Sequence, residues 1–163
     1  MASPSPSLSW GHININVRDL DASIAFYQKL GFSMLLPGIP YLGLEASAVS
    51  GPVPESAAVA LDIPATSRGR ACIMQLDDGF PKLDLTEWAD LEQRSPPGNA
   101  DLGLVRFCMG SQNLAQDHAT LLERGVPFLS APQATLDGKA DIAVCMDPDG
   151  TLIELIELHM DKW

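Results

Sequence analysis

Basic residues are scarce in this sequence. Ten lysines and arginines stand against 21 aspartates and glutamates, so the formal net charge is −11 and the isoelectric point lies near 4.4. Phosphate recognition depends on clustered Lys and Arg, so nucleic acid and anionic membrane surfaces are excluded as natural partners. Cysteine is also rare: Cys72, Cys108 and Cys145 are odd in number, widely spaced and set in apolar runs. That excludes a disulfide scaffold and reads as buried thiols in a reducing cytoplasm. No apolar run, Leu152 to Ile156 among the longest, approaches the roughly 18 residues that a membrane-spanning helix needs. The opening segment has neither a basic n-region nor an apolar h-region, so residues 1–8 read as a disordered leader rather than a secretory signal. The expectation is a soluble cytoplasmic protein of 163 residues acting on a small molecule, the size of one domain or of two small modules sharing a core.

What is present is a diverged internal repeat. One copy opens His12-Ile-Asn-Ile-Asn-Val-Arg-Asp19-Leu20 and the other Arg106-Phe-Cys-Met-Gly-Ser-Gln-Asn113-Leu114. Nineteen residues separate His12 from Gly31, and the same number separate Arg106 from Gly125. Each copy closes on acids three apart, Asp84 and Glu87 in one, Glu154 and Glu157 in the other. The repeat therefore superimposes His12 on Arg106 and Asp84 on Glu154. Between its ends the first copy is longer by 24 residues, and the surplus falls in the Gly-, Pro-, Ala- and Ser-rich stretch from Pro37 to Arg70.

Gly11 to Val17 alternates apolar and polar residues with the period of a strand. Asp21 and Ser23 then open a helix with Ile24, Tyr27 and Leu30 on one face, stopped at Gly31. Ala57 to Ile63 is the better strand candidate within the variable stretch, and Ala71 to Leu76 and Lys82 to Trp88 complete the first module. A polar linker, residues 93–101, separates residues 9–92 from a second module at 102–159. That second module reads as strand Gly103 to Met109, helix Asn113 to Arg124, a short strand near Pro127 to Ser130, and strands Asp141 to Met146 and Thr151 to Leu158. Asp147-Pro148-Asp149-Gly150 turns between the last two.

Two βαβββ modules, a first strand opening on His12, Asp19-Leu20 before a helix ending Tyr27-Gln-Lys-Leu-Gly-Phe32, and the closing Asp147-Pro-Asp-Gly-Thr-Leu-Ile-Glu154-Leu together resemble the vicinal oxygen chelate superfamily. Glyoxalase I, bleomycin-resistance proteins and extradiol dioxygenases belong to it. The resemblance spans about residues 9 to 158. It implies an α+β fold in which the two modules form a curved mixed sheet around a cavity with the helices outside. It also implies a homodimer and a divalent metal held by the first and last strands of each module.

Those family ligand positions map onto His12, Asp84, Arg106 and Glu154. A histidine nitrogen and two carboxylates suit Fe, Mn, Zn, Ni or Mg, with positions left open for substrate oxygens. Arg106 departs from the pattern, since a guanidinium cannot coordinate a metal. It can leave a weak site, fork onto Asp84 or Glu154 in a metal-free ion pair, or hold an anionic substrate group beside the metal. The leading expectation is lyase or isomerase chemistry through a metal-stabilised enolate or oxyanion. Glu154 and Arg106 would be catalytic, and Arg106, Asn14 and Asn16 would face the substrate. A metal-free cavity enzyme using Arg106 and His12, or a ligand-sequestering protein like the bleomycin-resistance members, stays open. A ring-cleaving dioxygenase loses ground because its facial triad needs a second histidine. Glu87 and Glu157, at odd offsets from Asp84 and Glu154, are expected on the opposite face and solvated. His118 and His159 are expected at the surface or in packing.

Overall fold

A computed structural model describes residues 6–47, 49–90, 92 and 94–163; residues 1–5 of the expected leader and Gln93 at the start of the expected linker lie outside them. The elements run β1 (His12–Asn16), α1 (Leu20–Lys29), β2 (Ser33–Leu36), β3 (Gly38–Ile39), a 3-10 turn at Pro40–Leu42, β4 (Leu44–Glu45), β5 (Gly51–Pro52), α2 (Glu55–Leu61), β6 (Arg68–Gln75) and β7 (Lys82–Trp88). They continue with β8 (Arg106–Ser111), α3 (Leu114–Glu123), β9 (Gln133–Ala134), β10 (Ala140–Met146), β11 (Leu152–Leu158) and a 3-10 turn at Met160–Lys162. The class is α+β. The chain divides into two compact units, residues 1–20 with 32–91, and residues 21–31 with 92–163, so all of α1 after Leu20 is grouped with the second unit.

The repeat shows in the sheets. In the first unit the strand order is β1-β7-β6-β2, with β1 and β7 parallel, β6 antiparallel to both neighbours, and β5 added on β6. In the second unit the order β8-β11-β10-β9 has the same sense at every pairing. Register follows too: Asp84 stands opposite Asn14, two residues after His12, and Glu154 stands opposite Cys108, two residues after Arg106. The parallel pairing of first and last strands is what brings residues some 70 and 50 positions apart onto one short stretch of sheet.

The surplus of the first copy folds onto its own sheet. Ile39, Leu42 and Leu44 of the β3–β4 hairpin, Val53, and Ala57 and Ala58 of α2 form one buried cluster with Ala71 and Trp88. Residues 57–61, expected within a strand, belong to the helix Glu55–Leu61. Glu-Ser-Ala-Ala-Val-Ala-Leu is a run of good helix formers, Pro54 supplies the extended N-cap, and Asp62 in the left-handed region closes the C-terminus. The expected strand near Pro127 to Ser130 reduces to a single bridge, Phe128 to Cys145, flanked by backbone bonds from Leu129 to Val144 and from Met146 to Pro127. The pairing strand lies further on at β9.

Glu87 and Glu157 are only partly solvated, their side chains 20% and 23% exposed, and each has a partner in its own unit. The Leu20 N–H donates to Glu87 Oε2 at 2.7 Å, and the Leu114 N–H donates to Glu157 Oε2 at the same distance. Leu20 and Leu114 are the first residues of α1 and α3, whose leading amides have no partner within the helix. Each carboxylate thus satisfies an orphan donor at the positive end of a helix dipole. Their face is opposite that of Asp84 and Glu154, as the strand parity requires. Asn113 adds a second cap to α3, its Oδ1 accepting from Gln116 N–H at 3.0 Å. In the second unit the hydroxyl of fully buried Tyr27 donates to Asp147 Oδ2 at 3.0 Å. Asp147 Oδ1 accepts from the Asp149 and Thr151 amides, which ties the β10–β11 turn to the helix.

Candidate functional site

The four positions singled out by the repeat assemble as two pairs, one in each unit. In the first unit His12 Nε2 lies 3.6 Å from Asp84 Oδ2. Asp84 is 1% exposed on the central strand β7, and its Oδ1 is buried without a hydrogen-bond partner. A buried, half-satisfied carboxylate costs stability, and such groups are retained where something else completes them. In the second unit Arg106 Nε donates to Glu154 Oε2 at 2.5 Å, and its Nη1 donates to Asn99 Oδ1 at 3.1 Å. The acids gather no third ligand inside either unit, and among the described residues no group of three or more His, Cys, Asp or Glu comes together around one point.

Asn14 and Asn16 share the face of His12 and Asp84. Trp88 Nε1–H, a donor only, bonds Asn16 Oδ1 at 3.0 Å, and Asn14 Nδ2–H bonds the same oxygen at 3.0 Å. Thr86 Oγ1–H donates to Asn14 Oδ1 at 3.1 Å. The indole and the threonine therefore turn both amide oxygens inward. One Asn14 N–H is taken up by Asn16, and the remaining amide N–H groups of the two exposed asparagines line a polar ladder beside Asp84.

Tyr41 was not foreseen. It lies in the turn between β3 and β4, inside the surplus segment that the second copy lacks, so no repeat or motif points to it. Its hydroxyl donates to Asp84 Oδ2 and lies 3.3 Å from His12 Nε2, and its ring stacks on the imidazole at 5.8 Å between centroids with 21° between planes. Burial, then the bond to and charge of Asp84, push the phenol well above its ordinary value, so it stays protonated. Cys108, opposite Glu154, has its thiol pushed up by burial and by the Glu154 charge, with Arg106 acting in the opposite direction. Each acid thus carries a hydrogen-bond donor from its own unit, a neutral phenol on Asp84 and a guanidinium on Glu154. His118 and His159 lie elsewhere: His118 packs edge-on against Phe128, and His159 Nε2 lies 3.0 Å from Asp141 Oδ2.

Within the first unit, the His12 imidazole and the Asp84 carboxylate, its Oδ1 orphaned, are donors of the kind a divalent ion takes. A groove of about 710 Å³ lies on the hairpin that carries Tyr41, lined by Leu36, Pro37, Pro40, Leu44, Glu45 and Ser47.

The family model for the Glyoxalase/Bleomycin resistance protein/Dioxygenase superfamily matches residues 9–155. Among solved structures, a glyoxalase family protein from Bacillus cereus is similar over 97% of this chain and 99% of its own, with a TM-score of 0.75 at 15% identity. A glyoxalase family protein from Enterococcus faecalis is 22% identical over 90% of this chain and 94% of its own, with a TM-score of 0.61. The trypanothione-dependent glyoxalase I of Leishmania major is 22% identical over 93% of this chain and 87% of its own, with a TM-score of 0.58. No curated protein matches the sequence. At these identities the structures carry the fold.

Proposed function

The chain belongs to the Glyoxalase/Bleomycin resistance protein/Dioxygenase superfamily, and from that premise we propose a small-molecule enzyme of lyase or isomerase type in which His12, Asp84 and Glu154 hold a divalent metal. The observation that carries this reading is the buried Asp84, with Oδ1 unpartnered and the His12 imidazole beside it. When bound, such an ion supplies Lewis acidity that polarises a carbonyl or hydroxyl oxygen. The chain's own groups do the rest. Arg106 fixes the Glu154 carboxylate through Nε and offers the remainder of its guanidinium to an anionic substrate group. Glu154 takes the proton from carbon and returns it to the neighbouring position. Asn14 and Asn16 present amide N–H donors to substrate oxygens. The protein acts on a small molecule and works as a homodimer, since sheets that end on unpaired strands favour association.

Exchange of a substrate α-proton reports this chemistry directly. Candidate α-hydroxycarbonyl and α-ketoacid compounds incubated in D₂O should take up deuterium with the protein, and Glu154→Gln should abolish the exchange. A compound that binds tightly and is recovered without deuterium, with the variant binding equally well, identifies a sequestering protein instead.

A second reading rests on the Arg106–Glu154 bond. There the guanidinium takes the place of the metal, Arg106 polarises the substrate and His12 moves the proton. In that case chelators leave the exchange rate unchanged, whereas the metal reading requires its loss.

A further inference from the structure

The phenol of Tyr41 lies in the space an ion bridging His12 and Asp84 would enter. We propose that the Tyr41 hydroxyl is a built-in competitor for the metal, holding the Asp84–His12 pair until a divalent cation displaces it. The proposal rests on reading His12 and Asp84 as ligands.

The geometry carries the argument. His12 Nε2 and Asp84 Oδ2 are 3.6 Å apart, and ligands at that separation are reached by one ion at roughly 2.0–2.2 Å from each. The hydroxyl oxygen is hydrogen-bonded to the same Asp84 oxygen and lies 3.3 Å from the same His12 nitrogen. A protonated phenol is a donor to the carboxylate and a poor ligand for a divalent ion, so the two occupants exclude each other. The second copy has no equivalent of the surplus segment, so the device belongs to Asp84 alone.

The hairpin need not move. Ile39, Leu42 and Leu44, on either side of Tyr41, are 0–2% exposed in the cluster around Trp88, whereas Tyr41 is 52% exposed. Rotation of one side chain opens the pair while the turn stays seated. The consequence is a lowered affinity rather than a slow gate: each binding event must break the bond from Tyr41 to a charged acceptor, and removing that bond should tighten binding roughly tenfold.

The chain has two tyrosines, which makes the displacement visible. In protein labelled with ¹³C at tyrosine Cζ, titration with Zn²⁺ should shift the Tyr41 resonance and leave that of Tyr27, bonded to Asp147, in place. By calorimetry Tyr41→Phe should bind Zn²⁺ roughly tenfold more tightly than the parent. Zn²⁺ binding that depends on Asp84 but leaves the Tyr41 resonance unmoved, or a Tyr41→Phe variant that binds no more tightly, overturns the competition. Weaker binding by Tyr41→Phe also overturns it, and makes Tyr41 a ligand. The ligand assignment fails separately: parent, His12→Ala and Asp84→Asn all binding Zn²⁺ equally, or not at all, removes it and the competition with it.

Discussion

Glu154 sits between a cation and a thiol, and its charge can be read from the thiol. Cys72 and Cys145 are fully buried while Cys108 is exposed, so a small alkylating reagent applied to the native protein labels Cys108. Reactivity follows the thiolate fraction, which burial and Glu154 depress and Arg106 raises. Glu154→Gln removes the opposing charge and leaves the guanidinium, so Cys108 should alkylate faster, and Arg106→Ala should slow it. Equal rates in all three proteins contradict the Arg106–Glu154–Cys108 geometry. Tyr27 makes a different test. Its phenol is pushed far above the ordinary value near 10 by burial and by Asp147, so the folded chain keeps its proton at a pH where the unfolded chain loses it. The stabilisation is therefore complete below about pH 10 and declines as the pH rises beyond it. Absorbance of tyrosinate should rise together with loss of near-ultraviolet dichroism; a full tyrosinate signal at pH 10.5 with the fold intact contradicts the buried bond. At this scale the sequence showed which acids and which histidine to weigh, because the repeat aligned them. Tyr41 escaped because it lies where the copies do not align.

At the scale of elements, the capping carboxylates explain an apparent redundancy in the sequence. Two acids three residues apart close each copy, and they have separate work: Asp84 lies beside His12 and Glu154 accepts from Arg106, while Glu87 and Glu157 hold the first amides of α1 and α3. Glu87→Gln and Glu157→Gln each weaken a charge-assisted cap and should cost about 1 kcal/mol in denaturant titration, with the fold retained. No measurable change in either would mean that the bonds are incidental. The signal for this role was in the repeat, since Leu20 and Leu114 align just as the glutamates do, but strand parity alone suggested only solvent on that face. Parity fixes a side of the sheet and says nothing of what covers it. The same limit accounts for α2. Ala57 to Ile63 is an apolar run too short for periodicity to separate strand from helix, and it was settled by packing of Ala57 and Ala58 against Ala71 and Trp88. That cluster should be sensitive: Leu44→Ala, from a side chain 1% exposed, is expected to cost about 2–5 kcal/mol.

For the whole molecule, the family and the α+β class were legible because a doubled pattern survives divergence that erases single motifs. The sheet order of one copy repeats in the other, and residues 9–155 match the superfamily. Substrate identity was not legible, since the stretch from Pro37 to Arg70, where the copies differ most in length, carries no motif. Among the described residues no helix is long and apolar enough to cross a membrane. The negative net charge suits a metal-dependent protein that takes up a dication and disfavours one that binds polyanions. The central claim is that His12, Asp84 and Glu154 bind a divalent metal, and the most direct measurement is metal content by mass spectrometry of untagged protein purified without chelator. Stoichiometric metal in the parent chain, lost in both Asp84→Asn and Glu154→Gln, is the result predicted. Protein that stays metal-free after incubation with Fe²⁺, Mn²⁺, Zn²⁺, Ni²⁺ and Mg²⁺, or metal retained in both variants, contradicts it.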